Sequence, residues 1–277
     1  MKSIKNVKNK FCQIDYDFIK SLKVNDYDGI ASVYDETMGE DFSRIIFNSH
    51  KRIIEKTFPK KNDLRCLDIA CGTGSFIRKW AKYKKSAQCF GIDLSKGQIA
   101  MANKKAKEGG VVVDFSVGDA VRATFPAKCD VVTINLDALN HIKDPKDWSK
   151  IFSKIHASLN TGGLFLFDIN TPKRLLEDLL HPEILVKRDI TYVQCGVRTG
   201  HIDDFALNQH LMQIFQKDKT GIKEYFALIQ QIAPSKQKLF SMIKEVGFSK
   251  VTEIKYSQKD RDKHIFMKNR LFVECHK

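Results

Sequence analysis

Apolar residues follow a helical spacing near the start of the chain. In residues 16–22 and 30–58 they recur three and four positions apart, as at Ile46, Ile53 and Ile54, and the pattern stops at Pro59. A proline at that point marks the end of a helix, because its ring cannot continue the hydrogen-bond ladder. We therefore predict N-terminal helices over both segments.

From Arg65 onward, short apolar runs alternate with helical stretches. Runs that are apolar on both faces are typical of parallel strands buried inside an α/β protein. The predicted strands are Cys66 to Ala70, Cys89 to Ile92, Val111 to Val117, Val131 to Leu136 and Leu164 to Ile169. The predicted helices between them are Ser75 to Lys84, Lys96 to Lys107 and Asp147 to Leu159. This alternation predicts a doubly wound, Rossmann-like α/β sheet.

The alternation breaks after Pro172. Residues 173–233 contain strand-like pieces, and the turn signals Arg198-Thr199-Gly200 and 217–221 are expected to separate them as hairpins. A helix capped by Ser235 and stopped by Gly247 follows, and strands over 250–256 and 270–275 bring the mostly parallel sheet to seven strands. We expect a helical cap (1–60), a core (61–172 and 234–277), and an antiparallel lid (173–233) inserted between strands five and six.

The composition adds limits to this prediction. The 277 residues are 43% hydrophobic and 29% charged, which is typical of an ordered globular protein. No apolar stretch approaches the roughly 20 residues that cross a bilayer, and the first ten residues, with four lysines, are expected to form a frayed tail rather than a secretion signal. We therefore expect a cytoplasmic protein without membrane contact.

The seven cysteines include no CxxC pair and no cluster at zinc-ligand spacing, so we expect reduced thiols and no metal. The net charge of +14 leaves two alternatives open. Either the lysines form a solvated surface, or they attract a polyanion such as RNA.

A strand that ends in Asp68 runs into a glycine turn, Gly72-Thr73-Gly74, and then into a helix. Glycines let the backbone approach a bound group closely, and the start of a helix favours anionic or nucleotide-like ligands. The dinucleotide fingerprint GxGxxG requires a third glycine at position 77, where this chain has Ile77. The pattern alone therefore indicates a nucleotide-like ligand and makes a pyrophosphate-binding site less favoured.

The segment Leu67-Asp68-Ile69-Ala70-Cys71-Gly72-Thr73-Gly74 resembles the first motif of the class I S-adenosylmethionine-dependent methyltransferases. Later segments agree in order: an acid ends the second strand at Asp93, another follows the third at Asp119, and Gly162-Gly163 precedes the fifth. The resemblance covers residues 64–171 well and implies S-adenosyl-L-methionine as cofactor, with S-adenosyl-L-homocysteine as product.

The resemblance also implies roles for single residues. Asp93 would accept both ribose hydroxyls, as a carboxylate can, and Asp119 would lie at the adenine amine. Gly72 and Gly74 would lie at the methionyl part, and Asp68 would orient the turn or meet the amino group. The other predicted cofactor-binding residues are Tyr34, Ala70, Leu94, Ala120, Asn135 and Leu136.

Tyr34 lies in Val33-Tyr34-Asp35-Glu36-Thr37-Met38, which resembles a stretch of small-molecule methyltransferases whose N-terminal helices cover the cofactor. By that resemblance Tyr34 would bond the methionine carboxylate. The alternative is a tyrosine that packs under a helix hairpin.

His141 and Asp137 follow the fourth strand, at the sheet edge where open α/β sheets bind ligands. A histidine titrates near neutral pH, which suits a general base. We therefore predict His141, with Asp137, as the catalytic residues, against the alternative of a histidine that shapes the pocket or faces solvent.

The acceptor is the least constrained part of the prediction. The chain lacks the Asn/Asp-Pro-Pro-Tyr motif of adenine-N methyltransferases and the Pro-Cys of cytosine-C5 enzymes. A lid-sized insertion favours methyl transfer to a nitrogen or oxygen of a small molecule, and its candidate lining residues are Tyr192, Arg198, His201, His210 and Phe226. For each of these the alternative is exposure or simple packing within the lid, because spacing alone does not give the face of a strand. The alternatives are an RNA or protein methyltransferase and a non-catalytic cofactor-binding adaptor. The oligomeric state stays open.

Overall fold

The structure is a computed structural model that describes residues 16–262 and 265–277. The predicted tail at residues 1–10 and Cys12 lie outside the described residues. The strands are β1 Arg65–Ile69, β2 Gln88–Asp93, β3 Asp114–Val117, β4 Cys129–Ile134, β5 Leu159–Asn170, β6 Glu183–Lys187, β7 Ile190–Ile202, β8 Phe205–Asp218, β9 Gly221–Ala233, β10 Lys250–Glu253 and β11 Arg270–His276. The α-helices are α1 Tyr16–Ser21, α2 Glu40–Thr57, α3 Ser75–Tyr83, α4 Lys96–Glu108, α5 Pro145–Ser158, α6 Pro172–Leu176, α7 Lys236–Glu245 and α8 Gln258–Arg261.

Seven strands form the central sheet in the order β10-β11-β5-β4-β1-β2-β3. All neighbours in the sheet are parallel except β11, which is antiparallel to both β5 and β10. The strand order reverses between β1 and β4, and ligands of open α/β sheets bind at the carboxyl ends of the strands beside such a switch point. The predicted Rossmann-like sheet is confirmed.

The central sheet is covered on both faces. Trp148 and Phe152 of α5 pack with Phe165 and Phe167 of β5 on one face, and Trp80 of α3 belongs to the cluster on the other. Each such side chain contributes about 1.5–3 kcal/mol when fully buried. This core holds the carboxyl ends of β1, β2 and β4 in fixed positions.

The second sheet is antiparallel, in the order β6-β7-β8-β9, and it lies between β5 and the closing strands in the chain, as predicted. One of its faces carries Tyr192, Ile214 and Ala227, which share a buried cluster with Ile30 and Phe42 of the N-terminal segment. The insertion and the N-terminal helices therefore pack on each other above the sheet edge.

The prediction of a turn at Arg198-Thr199-Gly200 was wrong. These residues lie inside β7, which continues to Ile202 after a register shift between Gly196 and Arg198. The chain reverses instead at Asp203, whose φ of 51° is left-handed. Aspartate tolerates that conformation better than most residues, and Gly200, three residues earlier, lies in the strand opposite Leu207.

The other turn and cap signals are confirmed. Between β8 and β9, Asp218 accepts hydrogen bonds from the backbone N–H of Thr220 at 2.7 Å and of Gly221 at 3.1 Å. Ser235 accepts from the N–H of Lys238 at 3.1 Å to cap α7, and Gly247 follows the helix with a φ of 111°. Among the helices of residues 16–262 and 265–277, none is long and apolar enough to cross a membrane.

Candidate active site

The glycine turn lies at the carboxyl end of β1 and leads into α3. Ala70, Gly72 and Gly74 have φ values of 53°, 55° and 73°. Residues with a side chain rarely adopt this left-handed backbone conformation, and non-glycine residues held in it are enriched at functional sites. The turn thus presents its backbone at the sheet edge.

Asp93 ties this turn to the end of β2. One carboxylate oxygen accepts the N–H of Gly72 at 2.7 Å, and the other accepts the N–H of Ser95 at 2.9 Å. Burial raises the pKa of Asp93, while these hydrogen bonds oppose the shift. A carboxylate offers about four acceptor positions, so Asp93 can still receive two hydroxyl donors.

The two glycines of the turn have different surroundings. A Cβ on Gly72 would meet nothing closer than Gln98 Oε1 at 3.7 Å and Tyr34 Cε1 at 3.8 Å. A Cβ on Gly74 would lie 2.5 Å from Phe115 Cζ. Gly72 is therefore open toward a ligand, whereas Gly74 makes room for Phe115.

Gln98 supports the same conclusion from the other side of the turn. Its side chain is buried, and neither its Nε2 nor its Oε1 has a hydrogen-bond partner. Buried carboxamides are nearly always hydrogen-bonded, so an orphaned one beside an open glycine indicates a place for a polar ligand. The residues present fit a ligand with hydroxyl, amino and carboxylate groups.

Asp68 is buried below the turn, and the hydrogen bonds to its Oδ1 come from β4 and its end: Thr133 Oγ1 at 2.6 Å and Asn135 Nδ2 at 3.3 Å. Asn135 Oδ1 in turn contacts His50 Nε2 of α2 at 3.1 Å. Burial raises the pKa of Asp68 to about 7 and lowers that of His50 to about 3. Asp68 and Asn135 thus join the N-terminal helix to the sheet edge.

The remaining predicted cofactor residues lie along β2 and β3. Leu94 is 68% exposed directly after Asp93. Asp119 is half-buried and accepts the N–H of Val121 at 2.9 Å, and the carbonyl of Ala120 accepts from Lys154 Nζ at 3.0 Å. Their contacts with a cofactor stay predictions.

A strained turn follows β4, where Leu136 and Asp137 have φ values of 59° and 50°. Asp168 of β5 holds this turn by accepting the N–H of Leu136 at 2.8 Å and the N–H of Asp137 at 2.9 Å. The buried Arg270 of β11 pairs with Asp168 and lies 2.7 Å from Asp137 Oδ1. Two carboxylates therefore share one guanidinium group.

Asp137 Oδ2 accepts from Gln231 Nε2 and from Asn170 Nδ2, the latter at 3.1 Å. A carboxylate can only accept, so this contact fixes the amide orientation of Gln231. Gln231 Nε2 also lies 3.4 Å from His141 Nε2. On this contact we assign His141 Nε2 as an acceptor and the ring proton of the neutral histidine to Nδ1, which is buried and has no hydrogen-bond partner.

Tyr27 places a hydroxyl 3.2 Å from the same His141 Nε2. The tyrosine lies in the N-terminal segment, 114 positions from the histidine. Burial lowers the pKa of His141 and raises that of Tyr27, so both are neutral at pH 7. A neutral imidazole that accepts from a phenol can take up a proton passed through that phenol.

A cavity of about 40 Å³ lies next to these groups, with room for a few water molecules. Tyr27 reaches it, but His141 does not line it. The lining consists of Tyr27, Tyr34, Leu136, Asp137, Asn170, Arg174, Leu179, Tyr192, Gln194, His210, Met212, Gln231, Phe266 and Arg270.

Only part of the predicted acceptor lining reaches this cavity. Tyr192 and His210 line it. Arg198 and His201 are exposed on the insertion and are not among the residues that line the cavity. Phe226 packs edge to face on Phe18 with ring centroids 5.0 Å apart. For these three residues the alternative of exposure or simple packing applies, since spacing alone does not give the face of a strand on which a residue lies.

The N-terminal segment closes over the site at several points. Asn25 binds the edge of β9 through Leu228 O at 2.8 Å and the N–H of Gln230 at 2.7 Å. Asp28 accepts from Ser95 Oγ at 2.5 Å and from the N–H of Gly97 at 2.8 Å at the start of α4. Residues 24–35 thus form a strap from the antiparallel sheet to the glycine turn.

Sequence reasoning missed Tyr27, Asn170, Arg174, Gln231 and Arg270. Arg174 is 1% exposed, pairs with Glu183 through both terminal nitrogens, and leaves Nε without a partner. Isolated polar residues in strands and loops are usually exposed, so no local pattern singles these out. Asp168 and Asn170 of β5 and Gln231 of β9 indicate a polar site only when the ends of these two strands are known to meet.

Comparison with known proteins agrees with this geometry. Residues 66–163 match the family model described as a methyltransferase domain. The chain is 31% identical over 151 residues to YqeM of Bacillus subtilis (strain 168), a match that covers 54% of this chain and 58% of that protein. The chain spans about three fifths of the length of the curated relatives it matches.

Two solved structures share the fold. An S-adenosylmethionine-dependent methyltransferase from Clostridium acetobutylicum ATCC 824 has a TM-score of 0.67 at 21% identity, over 90% of this chain and 98% of the other. CalS10, an amino pentose methyltransferase from Micromonospora echinaspora with S-adenosylmethionine bound, has a TM-score of 0.62 at 16% identity, over 86% and 91%. At these identities the likeness shows the fold.

Proposed function

We propose that this chain transfers a methyl group from S-adenosylmethionine to a nitrogen or oxygen of a small-molecule acceptor. Residues 66–163 match the methyltransferase domain family, and the fold is shared with an S-adenosylmethionine-dependent methyltransferase. The observation that carries the proposal is the open face of Gly72, with the orphaned Gln98 and the acceptor-rich Asp93 around it, next to a separate polar cavity. The methyl donor and the methyl acceptor would thus bind at adjoining positions.

On the donor side, Asp93 would hold the ribose hydroxyls and Asp119 the adenine amine. Tyr34 and Gln98 flank Gly72, where they would meet the methionyl group. When bound, the donor supplies a methyl group on a positively charged sulfur. The chain's own contribution is to orient the acceptor's lone pair toward that methyl group and to exclude water.

On the acceptor side, the antiparallel sheet and the strap of residues 24–35 roof the cavity. This enclosure favours a small molecule, because a polymer such as RNA could not pass beneath the paired edge of β9 and Asn25. We propose that residues 173–233 act as the lid and residues 1–60 as the cap. CalS10, whose overall fold is similar, is an amino pentose methyltransferase, and a small acceptor is compatible with that likeness.

Calorimetry with S-adenosylmethionine tests the donor side. We expect binding by the native chain and at least about tenfold weaker binding by Asp93→Ala, since hydrogen bonds to a charged group contribute about 1.5–3 kcal/mol. Asp204→Ala, which removes an exposed carboxylate paired with Lys238 at 3.0 Å, is the matched control and should bind normally. A native chain with no affinity for the donor or for S-adenosylhomocysteine would contradict the proposal.

A further inference from the structure

The cavity contains two arginines, and carboxylates neutralise both of them. Arg174 pairs with Glu183, and Arg270 pairs with Asp137 and Asp168. Burial raises the pKa of Asp168, but the groups in contact with its oxygens are N–H donors, which favour the ionised form. Asp137, Asp168 and Glu183 therefore face two guanidinium groups, and Asp178, which also lies 3.8 Å from Arg174, pairs with Lys268 at 3.0 Å. These four carboxylates outnumber the three cations by one, and of the four Asp137 lines the cavity.

The other acceptors in the lining also call for a donor. Asn170 Oδ1 is buried at the cavity and has no hydrogen-bond partner. Four aromatic rings form part of the remaining wall: Tyr27 and Tyr34 meet edge to face at 6.0 Å, and Tyr192 and Phe266 do so at 5.9 Å. A carboxylate, an orphaned carbonyl and aromatic rings together suit an ammonium group, which carries N–H donors and a positive charge.

From this arrangement we infer that the methyl acceptor is an amine, which enters the cavity as an ammonium ion held at Asp137 and Asn170. The inference rests on the proposed function and narrows its nitrogen-or-oxygen choice to nitrogen. A hydroxyl acceptor would have to become an anion beside Asp137, where a second negative charge is unfavourable. An ammonium group only becomes neutral when it loses its proton, so no second negative charge forms beside Asp137.

The proton has a path that starts at the cavity wall. The ammonium proton passes to Tyr27 Oη while the tyrosine's own proton passes to His141 Nε2, 3.2 Å away. The nitrogen lone pair then forms the bond to the methyl carbon, and the methyl–sulfur bond breaks with its electron pair left on sulfur. The product is a methylated ammonium ion, and His141 later returns its proton to water.

Tyr27 is therefore the catalytic residue of this step, and His141 is a positioning residue that acts through it. Because His141 must be neutral to receive the proton, the rate should fall on the acid side as the imidazole is protonated. His141→Gln should lose that acid limb of the pH profile as well as rate, whereas a purely structural role would lower the rate at every pH alike.

The acceptor class can be tested without knowing the acceptor. The purified chain is incubated with donor carrying a trideuterated methyl group and with a small-molecule extract of bacterial cells, and labelled products are identified by mass spectrometry and NMR. We expect the label on nitrogen, in a product retained by a cation exchanger at neutral pH. A label on oxygen would overturn the amine assignment and leave the proposed methyl transfer standing.

Absence of any labelled product from a chain that binds the donor would overturn the proposed function, and the acceptor assignment with it. With the amine acceptor identified from the labelled product as substrate, Asp137→Asn should lower kcat/KM at least about tenfold, and Tyr27→Phe should lower kcat about 100-fold, both with unchanged donor affinity. Asp204→Asn is the matched control for the first. If Asp137→Asn fails to fold, Tyr27→Phe carries the test, and unchanged turnover in it would refute the proton path.

Discussion

The proposed donor side and the proposed acceptor side of the site, called the donor side and the acceptor side below, are built in different ways. The donor side, from the glycine turn to Asp119, consists of strand ends that follow one another within residues 68–120, and its shape comes from backbone conformation at Ala70, Gly72 and Gly74. The acceptor side joins Tyr27, Asp137, Asn170, Gln231 and Arg270 from five separate segments through side-chain hydrogen bonds. Local sequence therefore specifies the first, and only the complete fold specifies the second.

Arg270 should show the largest effect, because the acceptor side depends on it. Replacing it by methionine leaves Asp137 and Asp168 buried without their shared partner, and we expect the free energy of unfolding to fall by about 3–5 kcal/mol. Urea denaturation measures this change. Arg44→Met removes an exposed guanidinium 3.3 Å from Asp41 and should cost less than about 1 kcal/mol. Equal losses in the two variants would show that the acceptor side is not held by this network.

The difference between the two sides also explains what the sequence could predict. The doubly wound sheet and the glycine turn follow from contiguous patterns, and the central sheet is confirmed, whereas the cofactor roles of Asp93 and Asp119 stay predictions. The antiparallel sheet was predicted, but the turn lies at the left-handed Asp203 rather than at Arg198-Thr199-Gly200, because the strand continues past a bulge after Gly196. Tyr27 could not be predicted, because its partner His141 is 114 positions away. Long-range hydrogen bonds leave no periodic signal in a single chain.

The contribution of Asp68 to the stability of the fold should depend on pH. Burial raises its pKa to about 7, so its contribution to stability is fully present below the unfolded value of 3.8 and is lost as the pH rises through about 7. The stability difference between the native chain and Asp68→Asn should therefore change by on the order of 1 kcal/mol per pH unit across that window. Urea unfolding at several pH values measures it.

Asp204, which is exposed, provides a control whose contribution to stability changes with pH in the opposite direction. Its ion pair with Lys238 lowers its pKa, so the stability it contributes is present above the unfolded value and is lost as the pH falls. A pH-independent difference for Asp68→Asn would mean that Asp68 is ionised throughout, with its hydrogen bonds to Thr133 and Asn135 outweighing burial.

Alanine substitutions at the two glycines of the turn should give the smallest difference in stability. Both have left-handed φ values, so alanine strains either position by about 1–2 kcal/mol. Gly74→Ala also forces a Cβ to 2.5 Å from Phe115, and we expect it to cost about 1–3 kcal/mol more than Gly72→Ala. Donor binding should show the reverse order, since Gly72 is the open position.

A double-mutant cycle with Phe115→Ala separates the two causes. If the overlap with Phe115 is the reason for the extra cost, Gly74→Ala should be less damaging in the Phe115→Ala background, with a coupling energy of about 0.5–3 kcal/mol in urea unfolding. Gly72→Ala should show no such coupling, because Phe115 is not among the atoms within 4 Å of its Cβ position. Coupling at Gly72 as strong as at Gly74 would mean that the donor side, too, is held by distributed packing rather than by local backbone shape.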